Sequence, residues 1–439
     1  MKSRKLTAGV TLAVVGIAAL VLAAWATGGG SRTQAAGGIV GSGKASATKS
    51  VCGMGTGHKA TGSPIKIGTI NMLIPGVDFT TIAKIVNAYF ECVNDNGGIH
   101  NHPIKYIQYT EQLNPAQEST LAHKLIESDK VVGIVGNTSF AECGTNWKYY
   151  EQKHFTVIGA GVQAECYSKP SIVESNMGPR YSDLGAAQAL VKRGAKSLIV
   201  ASPSTLSKYA DANVVTYAKE HHIKGEAVPV VLPVTDANSI ITHLYQLAGN
   251  GGGIILDFTP DTAPALMQAA IAQGIVNKVK WGSSTPIANE FMAKQFPQFD
   301  NKIFINQEFS NLTKKGPDSN LWRAVNHKYA PKVALQAFGQ MGYMDAKFAT
   351  IALLRIKGPI TAKSYNNSVR TLKNIHTDIL CKPWYVGNLP YHIPNNYDVT
   401  VTYDKGKVVV KDKCFAIAPV DKSIAQTRKW EKKYKLNTH

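Results

Sequence analysis

The sequence predicts an α/β fold of two Rossmann-like lobes with a ligand cleft between them. From residue 65, short β-rich runs alternate with amphipathic helical windows, and this alternation is typical of parallel sheets covered by helices. The alternation restarts near residue 184, which indicates a second sheet. About 390 residues remain after the N-terminal linker begins to give way to periodic sequence, too many for one ordinary hydrophobic core.

The first series of elements begins with a strand over 64–70 and a helix that starts near Asp78. Asn96-Gly97-Gly98 ends this helix, because these residues tolerate a positive φ. Apolar residues recur within it at helical spacing, at Ile82, Ile85, Val86, Tyr89, Phe90 and Val93. The next predicted elements are strand 104–109, a helix with Leu121, Leu125 and Ile126 on one face, strand 131–136, a further helix and strand 155–161.

The second series repeats this pattern and leads into a closing hairpin. Its predicted elements are helix 184–191, strand 197–202, helix 209–222, strand 227–232, helix 239–248, strand 253–258, helix 262–274 and strand 279–283. They are followed by strand 302–307 and by helices 320–329, 340–356 and 365–375. The hairpin has strands 399–403 and 408–410, joined through Asp404-Lys405-Gly406-Lys407.

Uncharged polar residues follow several predicted strands. Ligands of open α/β sheets bind outside the carboxyl ends of the strands, so two facing lobes place these residues at one cleft. Hydroxyls, amides and a single carboxylate suit binding by hydrogen bonds better than proton transfer. For each residue, capping of a helix is the alternative role. The candidates are Asn137, Thr138 and Ser139, then Gly161, Val162 and Gln163, and in the second series Ser204, Asp257, Phe258 and Ser284.

The N-terminus predicts export from the cytoplasm. Residues 6–26 form an uncharged, largely apolar run that follows a short basic start. Ala24-Trp25-Ala26 fits a signal-peptidase site, but the run is also long enough for a membrane anchor, so both interpretations stay open and we favour cleavage. Residues 1–26 are thus a signal peptide or anchor, and 27–63 are expected to be a flexible linker rich in Gly, Ser and Ala. The protein is expected to be secreted or associated with the cell envelope.

The chain is strongly basic. Its formal net charge is +19, and loss of Lys2, Arg4 and Lys5 with the leader lowers this to +16. The basic residues are spread along the chain, with the densest cluster in an expected C-terminal tail over 426–439. Because no nucleic-acid-binding motif accompanies them, we interpret the charge as a solvated surface near an anionic envelope and expect no nucleic-acid partner.

The cysteine count is even, which in an exported chain allows three disulfides in fifteen connectivities. Sequence position suggests one set of pairs. The proposed pairs are Cys143–Cys166, which follow two successive predicted strands, Cys381–Cys414, which bracket the region of the hairpin, and Cys52–Cys92, which join the N-terminal segment to the first helix.

Catalytic and cofactor motifs are weak. The string 38–44 has the spacing of a phosphate-binding loop. However, Ala45 stands where such a loop needs Ser or Thr, and the string follows no predicted strand and precedes no helix. His100-Asn101-His102 and His221-His222 lack further ligands at metal-binding spacing and are interpreted as surface turns or helix ends. No G-x-S-x-G elbow occurs. We therefore predict no catalytic residue, no metal and no cofactor.

Seven short strings occur in a specific order along the chain. They are Ile65-Lys66-Ile67-Gly68, Asn96-Gly97-Gly98-Ile99, Val132-Gly133-Ile134-Val135-Gly136-Asn137, Met177-Gly178-Pro179-Arg180, Val279-Lys280-Trp281-Gly282, Phe338-Gly339-Gln340-Met341-Gly342 and Cys381-Lys382-Pro383-Trp384-Tyr385. Each is weakly specific alone. In this order, across about 65–420, the chain resembles the type I periplasmic binding proteins, in particular the leucine/isoleucine/valine-binding branch in its actinobacterial form.

The resemblance implies two lobes joined by a three-segment hinge, which close around a solute that is usually delivered to an ABC permease. The crossovers would fall near Gly178, near 302–308 and near Leu380. The implied domains are an N-terminal lobe of 64–177 and 305–378 and a C-terminal lobe of 178–304 and 379–425.

The resemblance also assigns a ligand-binding role to two loops of the first lobe. In this family a serine-rich loop and a following small-residue loop hold the carboxylate and amine of an amino acid. The first loop aligns with 137–140, where Ser139 is retained, and the second with 161–163, where Val162 stands in place of a threonine.

The second lobe departs from the family pattern. The acidic group that helps to hold the amine falls at 283–285, which carry no charge. This departure argues against an α-amino acid ligand, because a buried ammonium without a counter-ion is costly. Asp257 is the candidate substitute, and Phe258 and Tyr209 are candidates for an aromatic wall.

We predict a non-enzymatic solute-binding protein of an ABC uptake system, which binds a branched-chain amino acid-like or other small organic solute by lobe closure. The expected partners are the solute and an ABC permease. Membrane contact is expected only through the leader or the permease, and the protein is expected to be a monomer. A ligand-sensing receptor with a membrane signalling partner and an envelope hydrolase are the alternatives, although no histidine follows a predicted strand end to serve as a base.

Overall fold

The computed structural model describes residues 50–386 and 391–437, which form two lobes, each with a central sheet covered by helices. This arrangement confirms the predicted α/β fold class. The predicted leader, 1–26, and the predicted linker up to residue 49 lie outside the described residues.

The first lobe begins with alternating strands and helices. They are β1 (Ile65–Ile74), β2 (Val77–Asp78), α1 (Thr80–Asp95), β3 (Ile104–Glu111), α2 (Pro115–His123), β4 (Gly133–Asn137), α3 (Glu142–Gln152), β5 (Val157–Gly159) and β6 (Ile172–Glu174). The sheet has the parallel order β3-β1-β4-β5-β6, and β2 pairs antiparallel with the end of β1.

The chain then enters the second lobe. Its elements are α4 (Pro179–Lys192), β7 (Ser197–Pro203), α5 (Ser207–Ala210), α6 (Ala212–Glu220), β8 (Lys224–Val230), α7 (Ala237–Ala248), β9 (Gly253–Leu256), α8 (Ala263–Ala272), β10 (Lys280–Ser283), α9 (Glu290–Gln295) and β11 (Ile303–Gln307). The strands run parallel in the order β11-β10-β9-β7-β8.

The remaining elements return to the first lobe and then again to the second. The helices α10 (Pro317–Tyr329), α11 (Ala337–Leu354) and α12 (Ala362–Val369) pack on the first lobe, where α10 and α11 contact α1. The antiparallel strands β12 (Tyr397–Asp404) and β13 (Lys407–Ala416) extend the second sheet beyond β11, and α13 (Lys422–Tyr434) follows.

Each lobe has its own apolar core. In the first, the ring of Trp384 stacks on Phe348 of α11 at a centroid distance of 3.7 Å, and both side chains are buried. In the second, Trp281 of β10 meets Phe299 edge-on at 5.4 Å. Burying one such side chain stabilises a fold by about 1.5–3 kcal/mol. These buried rings therefore help to hold the helices against the two sheets.

Two predicted domain boundaries differ from the structure. Residues 305–307, assigned to the first lobe, belong to β11 and pair with β10 and β12 of the second sheet. Residues 379–386, assigned to the second lobe, pack on the first, where Trp384 Nε1 donates to the Glu174 carbonyl at 2.9 Å. Strand pairing and ring packing decide these boundaries, and neither is visible in local sequence.

The predicted linker and tail are also partly folded. Within the expected linker 27–63, residues 50–63 pack against the first lobe, and Ala60 donates its N–H to the Asn94 carbonyl at 2.8 Å. Most of the expected tail 426–439 lies in or directly after α13. The buried Glu431 carboxylate of that helix accepts hydrogen bonds from Tyr385 and Asn396, both at 2.8 Å. The lysines that suggested a tail cover only the outer face of this helix.

Three disulfides join the cysteines in the pairs proposed from sequence position. Cys52 bonds to Cys92 at 2.12 Å and so ties the N-terminal segment to α1. Cys143 bonds to Cys166 at 2.04 Å, between the residues that follow β4 and those that follow β5. The third bond joins Cys381, in the segment packed on the first lobe, to Cys414 of β13 in the second sheet. These bonds use all six cysteines of the chain.

Removing the N-terminal bond tests its role in stability. The double substitution Cys52→Ala with Cys92→Ala opens a loop whose ends are 40 residues apart in sequence. We expect the free energy of unfolding to fall by about 2–4 kcal/mol in urea titrations. Tryptic cleavage after Lys59 should become faster as residues 50–63 detach. The substitution Val51→Ala, at a partly exposed neighbour, is the control, and an unchanged free energy and cleavage rate in the double variant would contradict the assignment.

Candidate functional site

A pocket lies between the carboxyl edges of the two sheets. It encloses about 640 Å³ of space not occupied by atoms, with its open mouth included. The residues that line it come from loops after β1, β4 and β5, from the starts of α1, α4 and α11, and from loops after β7, β8, β9, β10 and β11.

The first-lobe wall is largely apolar. Phe79 precedes α1, Phe140 follows β4, and Phe338 lies in the first turn of α11. The ring of Phe79 meets Phe140 edge-on at 5.4 Å and Phe338 edge-on at 5.5 Å. Edge-to-face packing fixes the three rings relative to one another and leaves a rigid apolar surface for a ligand. The other apolar residues of this wall are Val77, Ile82, Ala160, Val162 and Met341.

The second-lobe wall combines apolar and acidic groups. Leu206, Leu232 and Phe258 supply apolar surface, whereas Asp257, after β9, and Glu308, after β11, supply carboxyls. We call Asp257 and Glu308 the acidic pole. They are the charged side chains among the described residues that line the pocket, and no Lys, Arg or His of the described chain is in that lining.

Neighbouring hydroxyls orient the acidic pole. The Ser284 hydroxyl donates a hydrogen bond to Asp257. Glu308 Oε1 lies 3.2 Å from Thr285 Oγ1, and Glu308 Oε2 accepts the Met177 N–H at 2.7 Å. Burial is the main cause that raises the pKa of Asp257 to about 6 and the pKa of Glu308 to about 7. The pole is therefore fixed in position and more readily protonated than free carboxylates.

The lobes touch across the mouth of the pocket. Thr259 Oγ1 and Thr262 Oγ1 both donate to the carbonyl oxygen of Gly76, each at 2.8 Å. We call this three-residue contact the clasp. Gly76 has φ +85°, and a Cβ there would stand 2.8 Å from Thr262 Oγ1, so both the turn and the contact require glycine. The clasp joins the β1–β2 turn of the first lobe to the start of α8, so the structure is in a closed arrangement.

Five of the residues predicted from sequence line this pocket. They are Thr138 and Val162 from the first lobe and Asp257, Phe258 and Ser284 from the second. The Thr138 hydroxyl is buried and has no hydrogen-bond partner within the described residues. It is therefore available to a ligand, and the binding role of all five stays a prediction.

Asn137 and Ser139 lie outside the pocket lining and support the loop that carries Thr138. Asn137 Oδ1 accepts the Ile70 N–H at 2.6 Å. Ser139 Oγ donates to Glu111 Oε1 at 2.6 Å and accepts the Ala141 N–H at 3.0 Å. These bonds hold the loop in place, and neither is a helix cap, because α3 begins after Ala141 without a side-chain cap bond.

Gly161 and Gln163 likewise make bonds behind the pocket wall. The Gly161 N–H donates to Glu174, and its carbonyl accepts the Tyr167 hydroxyl at 2.6 Å. Gln163 Oε1 accepts the Gly144 N–H in the first turn of α3 at 2.9 Å. Both residues hold the loop that presents Val162.

Ser204 and Tyr209 are not brought to the pocket. Ser204 is exposed after β7. The Tyr209 carbonyl accepts Arg180 Nη1 at 2.6 Å, and the Arg180 guanidinium lies 5.0 Å from the Tyr209 ring. Tyr209 thus packs against α4 instead of forming the aromatic wall.

Sequence reasoning missed five residues that shape the pocket: Phe79, Phe140, Leu206, Phe338 and Glu308. Glu308 directly follows β11, so the strand-end rule that selected Asp257 could have found it. Phe338 opens one of the strings that carry the family resemblance. Phe140 lies in the loop 137–140 that the resemblance assigns to the ligand, although it was not named as a contact, whereas Phe79 and Leu206 gave no signal that separates them from core residues.

Groups that could suggest metal binding have other partners. Cys143, Cys166 and Glu174 have ligand atoms close together, but the two sulfurs are bonded to each other. His102 Nδ1 lies 2.8 Å from the Ser63 carbonyl oxygen, and His100 Nε2 lies 3.2 Å from the Leu354 carbonyl oxygen.

Solved structures of similar fold come from several bacteria. A fatty acid ABC transporter substrate-binding protein from Thermomonospora curvata has 16% identity and a TM-score of 0.72, covering 83% of this chain and 95% of that one. A branched chain amino acid ABC transporter protein from Thermus thermophilus with bound valine has 10% identity and a TM-score of 0.74, covering 84% and 99%. A solute binding protein of an ABC transporter from R. palustris in complex with 4-hydroxybenzoate has 19% identity and a TM-score of 0.67, covering 82% and 98%.

Sequence comparisons complete the assignment. Curated proteins give no match to the chain. In 50–386 and 391–437, no helix combines the length and apolarity needed to cross a bilayer. The family model described as periplasmic binding protein matches residues 64–396. The chain therefore belongs to the periplasmic binding protein family and has the type I fold of these solved structures.

Proposed function

We propose that the protein is the extracytoplasmic solute-binding component of an ABC uptake system and that it binds a small, largely apolar organic solute. The observation that carries the proposal is a pocket with walls from both lobes. A ligand that contacts both walls stabilises the closed arrangement relative to an open one. The closed, loaded protein then presents both lobes to a membrane permease.

The names of the similar proteins do not identify the chemical class of the solute. They include valine, a fatty acid and 4-hydroxybenzoate, so one fold accommodates different chemistries. The solute of this chain has to be inferred from its own pocket. Three packed phenylalanine rings favour a ligand with an apolar body.

The pocket favours binding over turnover. A hydroxyl nucleophile needs a neighbouring base that takes its proton. Ser284 donates a hydrogen bond directly to Asp257, and no histidine of the described residues is in the lining to form a Ser-His-Asp relay. The polar groups thus support hydrogen bonding to a solute that leaves unchanged.

A thermal-shift screen tests binding without turnover. Branched-chain and aromatic amino acids, amides, small carboxylates and small amines are each added to the purified protein. A solute at about one hundred times its Kd should stabilise the fold by about 2.7 kcal/mol and raise its Tm. Each hit is recovered and checked by mass spectrometry, and chemical conversion of a hit by the protein would refute the binding-protein assignment.

Truncation of one phenylalanine ring in the first-lobe wall should lower the affinity for the solute. Phe140→Ala removes a ring that packs on Phe79 and faces the solute. Burial of such a ring contributes about 1.5–3 kcal/mol, so calorimetry with the best hit should show a Kd raised by about tenfold or more. Phe291→Ala, at a ring that is 65% exposed, is the matched control. Equal Kd values for the two variants would place the solute elsewhere.

The clasp is expected to stabilise the closed arrangement of the two lobes. In the double variant Thr259→Val with Thr262→Val, the Gly76 carbonyl loses both donors while the side chains keep their volume. Two hydrogen bonds contribute about 1–3 kcal/mol, so Kd should rise by about tenfold and the radius of gyration without solute should increase in X-ray scattering. Thr242→Val, an exposed threonine on α7, is the control. Unchanged Kd and radius would mean that the clasp does not stabilise closure.

A further inference from the structure

The polar end of the pocket is acidic and lacks a matching positive charge. Asp257 is 7% exposed and Glu308 is 3% exposed, so neither carboxyl is well solvated. Within the described residues, no ion pair includes either of them. Arg180, in the first turn of α4, pairs with Asp421.

More carboxyls lie behind the acidic pole. Asp183 of α4 and Asp398 of β12 are fully buried, as is Asp211 between α5 and α6. Burial raises the pKa of Asp183 well above its usual value, and the charges of Asp257 and Asp211 add to this rise. Burial likewise raises the pKa of Asp398, with Glu308 as the next cause. The acidic pole thus belongs to a set of buried acids whose charged forms would repel one another.

When it is ionised, such a set is costly unless a cation completes it. A buried charge without a partner destabilises a protein by several kcal/mol, and removal of one partner from a buried pair has the same consequence. A ligand carboxylate at this end would add a further negative charge, with no basic side chain of the described lining to hold it. A ligand ammonium would meet two carboxyls already oriented by Ser284 and Thr285.

We propose, on the basis of the proposed solute-binding function, that the solute is an organic amine: its ammonium group bonds to Asp257 and Glu308, and its apolar body lies against Phe79, Phe140 and Phe338. The solute carries no carboxylate at this end. This chemistry differs from the amino acid, fatty acid and hydroxybenzoate ligands named for the similar proteins. It also uses residues other than 283–285, where the family's acid is missing.

Matched series of amines and acids test the inference. Calorimetry compares phenethylamine, phenylalanine and 3-phenylpropionate, then 3-methylbutylamine, leucine and 4-methylpentanoate, and then straight-chain amines with the corresponding fatty acids. We expect the amine of at least one series to bind about tenfold or more tightly than its partners, as charge-assisted hydrogen bonds allow. Tighter binding of the acids or amino acids overturns the amine assignment and leaves solute binding intact. Binding of no compound here or in the wider screen contradicts both proposals.

Two variants locate the ammonium group. Asp257→Asn and Glu308→Gln keep the side-chain shape and remove the charge, and each should weaken amine binding by about tenfold or more. Binding of the uncharged alcohol of the same series should change by less than about threefold. Glu290→Gln, at an exposed acid of α9 that pairs with Lys294, is the control. Thermal unfolding verifies that each variant folds, and unchanged amine affinity in both folded variants overturns the assignment.

Discussion

Two buried carboxyls without a protein cation are the constraint on which this structure depends. Burial raises the pKa of Asp257 to about 6 and that of Glu308 to about 7. The folded state therefore holds these protons more tightly than the unfolded state, and the resulting stabilisation is lost as pH rises through these values. In their ionised form these carboxyls give the unliganded cleft a negative charge that no basic side chain of the described lining compensates, and a cation that enters it lowers the free energy of the closed state.

The fold around the cleft explains why the acids are where they are. In both lobes the parallel strands end at the cleft, and the loops after β9 and β11 carry Asp257 and Glu308. On the opposite wall, the bond between Cys143 and Cys166 lies behind the loop that presents Val162. A Cβ at position 161 would stand 2.7 Å from Cys166 Sγ, so glycine lets this loop lie against the disulfide. The apolar wall is therefore held by covalent and packing constraints, whereas the acidic wall is held by hydrogen bonds.

Sequence reasoning predicted what depends on periodicity and on strand ends. It placed Asp257, Ser284 and Thr138 at the cleft because each follows a strand, and that position is a local property. It failed at Tyr209, whose packing on Arg180 is a tertiary contact. The hinge boundaries depend on the pairing of β11 with β10, and α13 is held by the buried hydrogen bonds of Glu431. Both are tertiary contacts that the local sequence does not show. The phenylalanine wall was missed because apolar residues at helix starts resemble ordinary core.

The most direct test is a crystal structure of the protein with its tightest-binding solute. The account predicts one unmodified molecule in the cleft, in contact with both lobes, with an ammonium nitrogen within about 3.2 Å of the carboxyl oxygens of Asp257 and Glu308. A solute bound outside the cleft, or one whose carboxylate lies at the acidic pole, would contradict it.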